Sequence, residues 1–189
     1  LLALNKAVLA AADRGYAEQA REQRERLEKG SRDASRDSSL ADALARGADT
    51  THIPNIWARD AAGNVVSNAP RALVQDLDSL PFPDKSLFAG TPMASGDLYL
   101  AIASRGCAYR CTFCIENRLQ ALYHNDRRYL RARSVSDLLR ELRSARAVHD
   151  YRAVWFCDEI FTWNLPWLRE FAPRYRDEIG VPFLALVHP

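Results

Sequence analysis

Absences define this chain before any motif does. No apolar run approaches the length that crosses a bilayer, and the first residues have neither the charged start nor the cleavage site of a signal peptide. A charge excess is lacking too: net charge is +2 from 26 basic and 24 acidic residues, so nothing global favours nucleic acid or an anionic membrane as a partner. Cysteine is sparse, four residues with three of them clustered, which argues against a secreted disulfide framework and makes a reducing, cytoplasmic setting the default expectation. Methionine occurs once, at Met93, and the sequence opens on Leu1 and closes on Val187-His188-Pro189, directly after an apolar strand-like run. Such ends are expected of a fragment of a longer protein. No internal repeat or low-complexity tract is evident. With 189 residues and 48% hydrophobic content, the chain has material for one packed domain plus an appendage.

What is present centres on Arg105-Gly106-Cys107-Ala108-Tyr109-Arg110-Cys111-Thr112-Phe113-Cys114. Three thiols so close on one loop can converge on one metal centre, and thiolates are the natural ligands of iron–sulfur clusters and zinc. Structural zinc sites usually add a distant second pair of Cys or His, and no such pair follows here. Three ligands without an evident fourth suit a cluster with one iron left open to a small molecule. Arg105 and Arg110 favour the thiolate forms by charge.

Along the chain, apolar residues from Leu1 to Ala12 begin a long helix over residues 1–29, closed by Gly30. The polar stretch from Ser31 to Ser39 is a linker, and a short helix follows from about Leu40 to Arg46, capped by Ser38 or Ser39 and stopped at Gly47. Residues 53–68 alternate like a hairpin turning through Asp60–Asn64. In Asp76-Leu77-Asp78-Ser79-Leu80-Pro81-Phe82-Pro83-Asp84 the prolines bar both helix and central strand. From Asp97 the rhythm becomes strand, loop, helix, strand. Leu98–Ala103, Ala153–Cys157 and Val181–Val187 are the predicted strands, and a helix with a capping box at Ser134-Val135-Ser136-Asp137 runs to about His149. Asn164 caps a further helix, whose first turn accepts Pro166 and which Pro173 is expected to kink or break. Strands alternating with helices imply βαβ units and a parallel sheet, with the cysteine loop at the carboxyl end of the first strand.

The Cys-x3-Cys-x2-Cys loop, with Phe113 before its last cysteine, resembles the signature of the radical S-adenosylmethionine superfamily. The block from about Thr51 to Phe88, with its Ile53-Pro54-Asn55-Ile56 hairpin and its Leu77-Asp78-Ser79-Leu80-Pro81-Phe82-Pro83-Asp84 segment, is similar to the connector that precedes the barrel in the cobalamin-type members. Phe156-Cys157-Asp158-Glu159-Ile160-Phe161 also resembles their acid-pair-plus-aromatic pattern. The resemblance implies an α/β fold: the first half, about three βα units, of a partial (βα)6 TIM-like barrel behind a helical and hairpin connector. It divides the chain into a helical segment and linker over 1–50, the connector over 51–96, and the first half of the radical domain over 97–189. It implies a [4Fe–4S] cluster on Cys107, Cys111 and Cys114, with S-adenosylmethionine on the open iron and reductive cleavage to a 5′-deoxyadenosyl radical. Tyr109, Phe113, Asp158 and Glu159 would meet that cofactor, and strand alternation brings one of the two acids to it, Asp158 being preferred. Cobalamin is implied for the full-length protein through the connector and acid pair alone, because the Asp-x-His-x-x-Gly loop of its binding domain is not in this sequence. The implied partners are a small-molecule substrate and an electron donor of flavodoxin or ferredoxin type.

Other residues carry plainer expectations. Cys157 is a strand residue rather than a fourth ligand, and His188, at the end of the third strand, faces substrate or the cofactor's carboxylate. Arg127, Arg128, Arg131 and Arg133 form a solvated basic face rather than a nucleic-acid surface. Trp163, Trp167, Phe171 and Tyr175, four residues apart, are packing residues. The rival function is a non-catalytic iron–sulfur electron carrier or a structural zinc module.

Overall fold

A computed structural model of the protein describes residues 40–83, 85, 97–124, 126–147 and 150–188. The helix expected over 1–29, the linker to Ser39 and the Ser38 or Ser39 cap lie outside the described residues. The first described element is α1 (Leu40–Ala45), closed by Gly47 at φ +62°, a left-handed stop that glycine adopts without a Cβ penalty. The expected hairpin follows as β1 (Trp57–Arg59) and β2 (Val65–Ser67), antiparallel with Ala58 opposite Val66. Its turn is organised by Asp60, whose Oδ1 accepts from the Ala62 and Asn64 N–H groups.

Three strands form an open, wholly parallel sheet in the order β3 (Leu98–Ala101), β6 (Ala153–Phe156), β7 (Phe183–Ala185). The mixed α/β class and the three strand positions agree with the sequence; β3 and β6 begin where expected and stop at Ala101 and Phe156, and β7 is shorter than its apolar run at both ends. Two helices cover one face of this sheet, α3 (Val135–Arg146) and α4 (Leu165–Glu178). On α3 the helical spacing of Val135, Leu138, Leu139, Leu142 and Ala145 becomes a fully buried stripe. It meets Tyr99, Ala101, Val154 and Phe156 from the strands, and Phe171 and Tyr175 from α4.

Of the kink or break expected at Pro173, the break does not occur: α4 runs through it to Glu178. An interior proline costs a helix about 3 kcal/mol. Here Phe171 and Tyr175, on either side of it, are both buried in the core, and that packing holds the helix across the missing N–H. Asn164 caps α4 as expected, its Oδ1 accepting from Trp167 N–H at 3.2 Å, with Pro166 in the first turn.

The proline-rich connector is not a loose tether. Asp78 Oδ1 accepts the Ser134 N–H at 2.8 Å, the Arg131 guanidinium donates to Val74 O, and Leu77 and Phe82 are buried. Ser134 Oγ accepts from Asp137 N–H, so half of the expected capping box is present, and the connector's Asp78 supplies the other half. Beside it, Arg133 pairs with both Asp137 and Glu141 and lies over the Phe82 ring. Lys85 lies over the Tyr99 ring, 3.7 Å from Glu141, and donates to Leu100 O; burial pulls its ammonium down to about 8.

Candidate functional site

The sequence places the chemistry after β3, and the structure shows how that segment is shaped. Past Ala101 the chain enters a two-residue ladder, β4 (Ser104–Arg105) pairing antiparallel with β5 (Arg131–Ala132). Neither strand is foreseen from sequence, since two residues carry no periodicity. Gly106 follows at φ +85°, and its Cα lies so close to Tyr129 that a Cβ would stand 2.6 Å from Tyr129 O. Only glycine fits this point. The loop then carries Cys107 and Cys111, turns through a Cys114 N–H to Cys111 O bond of 3.0 Å, and enters α2 (Ile115–Leu122) with Cys114 at its N-cap.

All three cysteines are half-buried and free of disulfides. Burial pushes the Cys107 thiol up, with Glu116 and Glu159 adding in the same direction and the Tyr109 N–H, 3.5 Å from its sulfur, opposing. Among the described residues no three His, Cys, Asp or Glu side chains are gathered as a metal site. The donor set itself suits a thiolate-held metal group: three soft ligands on one short loop, beside a glycine that lets the backbone approach closely.

The carboxyl ends of the other strands meet this loop. Cys157 N–H extends the ladder past β6 by donating to Ala101 O, and the chain continues into Asp158 and Glu159. The two acids part company. Asp158 is 2% exposed; it accepts from the Ala103 N–H at 3.0 Å and from the Ser104 hydroxyl, so its carboxylate ties the end of β6 to the entrance of the cysteine loop. Glu159 is exposed and is the acid presented at the rim. The preference for Asp158 as the cofactor-facing acid therefore meets a residue already committed to protein contacts. A cleft of about 360 Å³ lies between loop and strand ends, bordered by Gly106, Glu116, Tyr129, Cys157, Asp158 and Glu159.

Tyr109 stacks on His188 with ring centroids 4.1 Å apart, linking the cysteine loop to the segment just beyond β7. Phe113 is 92% exposed, an apolar side chain at the tip of the loop. Cys157 is half-buried just beyond β6, and burial, with Asp158 beside it, raises its thiol. The basic cluster is mostly consumed by structure: Arg128 is held by Asp126, Arg131 by the connector and Arg133 by the buried acids of α3. Trp167 donates its indole N–H to Arg133 O and stacks on Phe171, as expected of packing residues, whereas Trp163 is half-buried in a short turn after β6. Sequence reasoning missed two residues of α2: Glu116, which accepts the Tyr129 hydroxyl at 3.0 Å, and Gln120, which bonds the cysteine loop. Burial, reinforced by Glu116, pushes the Tyr129 phenol up to about 12.

No known family model matches the chain. It is similar to an uncharacterized methyltransferase of Pyrococcus horikoshii, at 28% identity over 74% of this chain and 29% of that protein. Among solved structures, it is similar to the cobalamin-dependent S-adenosylmethionine radical enzyme OxsB in its apo, selenomethionine-labelled form, with a TM-score of 0.52 and 21% identity over 85% of this chain and 22% of that one. The same enzyme with aqua-cobalamin and S-adenosylmethionine bound aligns at a TM-score of 0.46 and 24% identity, over 74% of this chain and 18% of that one. The chain thus spans less than a third of either relative's length. No helix among the described residues is long and apolar enough to cross a membrane. The likeness is one of fold: the described βα units of this chain are arranged as in part of OxsB.

Proposed function

We propose that this chain carries the cluster-binding and cofactor-binding part of a radical S-adenosylmethionine enzyme of the cobalamin type, and that its three parallel βα units are the first half of a (βα)6 barrel. One observation carries the proposal: a loop with three cysteines in eight residues leaves the first strand of a parallel sheet, and the end of the neighbouring strand sets an exposed acid beside it. Cys107, Cys111 and Cys114 would hold a [4Fe–4S] cluster. With S-adenosylmethionine bound, the reduced cluster would supply one electron to the sulfonium, breaking the carbon–sulfur bond to release methionine and a 5′-deoxyadenosyl radical.

The chain's own residues prepare the place. Glu159, exposed at the rim, would accept hydrogen bonds from the cofactor's ammonium group, while Asp158 ties the end of β6 to the entrance of the cysteine loop. Phe113, exposed on the loop, and Tyr109, stacked on His188, would offer aromatic surface to the adenine. The similarity to a methyltransferase and to a cobalamin-dependent enzyme supports methyl transfer or ring formation on a small molecule, with cobalamin held outside the residues of this chain. An electron donor of flavodoxin or ferredoxin type would reduce the cluster.

The test is anaerobic reconstitution with iron and sulfide, followed by S-adenosylmethionine and a chemical reductant. Formation of 5′-deoxyadenosine, lost in Cys111→Ala, is the expected result. A site that takes zinc and refuses a cluster overturns the proposal, and a cluster without 5′-deoxyadenosine makes the protein an electron carrier instead.

A further inference from the structure

Gln120 stands out among the polar side chains that no catalytic argument uses. It sits in the last turns of α2, is 7% exposed, and turns its whole amide toward the loop that precedes the helix. Its Nε2 donates to Cys107 O at 3.0 Å and to Tyr109 O at 2.7 Å, and its Oε1 accepts from Arg110 Nε at 3.4 Å. Both donors and the acceptor therefore engage three of the four residues from Cys107 to Arg110. Cys111 and Cys114 are held by their own turn, and Gly106 is pinned against Tyr129, which α2 also grips through Glu116. Among the described residues, Gln120 is the one buried side chain that hydrogen-bonds to the Cys107–Arg110 stretch.

We propose that Gln120 is a positioning residue that fixes the backbone of the cysteine loop from Cys107 to Arg110, leaving only the thiols to close on a metal group. The role follows from amide chemistry: a planar group with two N–H donors and a carbonyl can bridge two backbone carbonyls and a guanidinium at once. A carboxylate of the same shape has no donor for the two carbonyls, and an aliphatic side chain leaves both without their partner. A loop fixed in advance loses less conformational freedom when its thiols close on a metal group. The link to a cluster rests on the function proposed above; the bracket itself does not.

The test uses the full chain with Gln120→Glu, which preserves shape, and Gln120→Leu, with Arg118→Ala on the exposed side of the same helix as control. The first measurement is iodoacetamide labelling of reduced, metal-free protein, followed cysteine by cysteine by mass spectrometry. Losing two buried hydrogen bonds should raise the labelling rate of Cys107 relative to Cys157 on the order of tenfold in both Gln120 variants and leave the control unchanged. The second is the electron paramagnetic resonance spectrum of the reduced, reconstituted protein, where the variants should show a broadened or shifted signal at unchanged helix content. Equal Cys107 labelling in all the chains overturns the bracket. Faster labelling in the variants, with an unmodified chain that takes up no cluster, upholds the bracket and removes the cluster proposal instead.

Discussion

The back of the sheet and its carboxyl rim are held together by different forces. Behind the strands, Phe156 packs against Phe161, Phe171, Tyr175 and Phe183 with ring centroids 4.6 to 6.1 Å apart, among aliphatic side chains from which solvent is excluded. At the rim there is little apolar burial. The Asp158 carboxylate, the Gln120 amide and the Glu116–Tyr129 pair keep the loops in place, while Phe113 stands in solvent. Apolar packing is cumulative and tolerant of direction, so it sets stability; hydrogen bonds are directional, so they set shape. Damage to the back should therefore melt the molecule, and damage to the rim should disarm it while it stays folded.

The largest effect is expected at the back. Phe156→Ala should cost about 3–5 kcal/mol in urea unfolding, with the loss shared by every spectroscopic probe. A cost below about 1 kcal/mol would mean that the aromatic cluster is not the core. Next comes Asp158→Ala, which leaves the Ala103 N–H and the Ser104 hydroxyl without their buried acceptor and should cost about 1–3 kcal/mol. Asp158→Asn, with one acceptor oxygen kept, should cost less, and equal losses in the two variants would speak against the strut.

Alkali probes the back in a different way. Burial, joined by Glu141 and opposed by Arg146, raises the Tyr151 phenol from 10 to about 12. A group whose folded value is raised keeps its stabilising effect below its unfolded value and loses it as pH rises through the folded one. The contribution of Tyr151 to stability should then hold to about pH 10 and be lost as pH approaches 12. Tyr151→Phe should make the alkaline fall in melting temperature shallower while giving up the bond to Leu142 O, with Tyr129 still contributing; an unchanged alkaline slope would remove Tyr151 from the account. The smallest effect on stability belongs to Glu159→Gln, within about 0.5 kcal/mol as for other exposed sites. S-Adenosylmethionine affinity, measured by calorimetry on reconstituted protein, should nonetheless drop, and an unaltered affinity would end the role proposed for Glu159.

Much of the back was legible in the sequence because it repeats. Val135, Leu138, Leu139, Leu142 and Ala145 announce a helix face, and Val154-Trp155-Phe156 an apolar strand, by spacing alone. The cysteine loop was legible because three thiols in eight residues are a compositional event. The rest of the rim was not. A glutamine in a helix carries no signature, and a two-residue ladder such as β4–β5 has no period to detect. Asp158 and Glu159 look alike in sequence, and what divides them is the Ala103 N–H and the Ser104 hydroxyl, more than fifty residues away in the chain. Pro173 was misjudged because helix propensity was weighed without the two buried rings beside it.

The docked connector has a consequence for how such a protein can be cut or recombined. A piece begun at Asp97 would strip Phe82 from beneath the Arg133 and Arg140 guanidiniums, remove the acceptor of the Ser134 N–H, and open the space that Leu77 fills. Chimaeras joined at the first strand should therefore be recovered less often than those joined ahead of the hairpin.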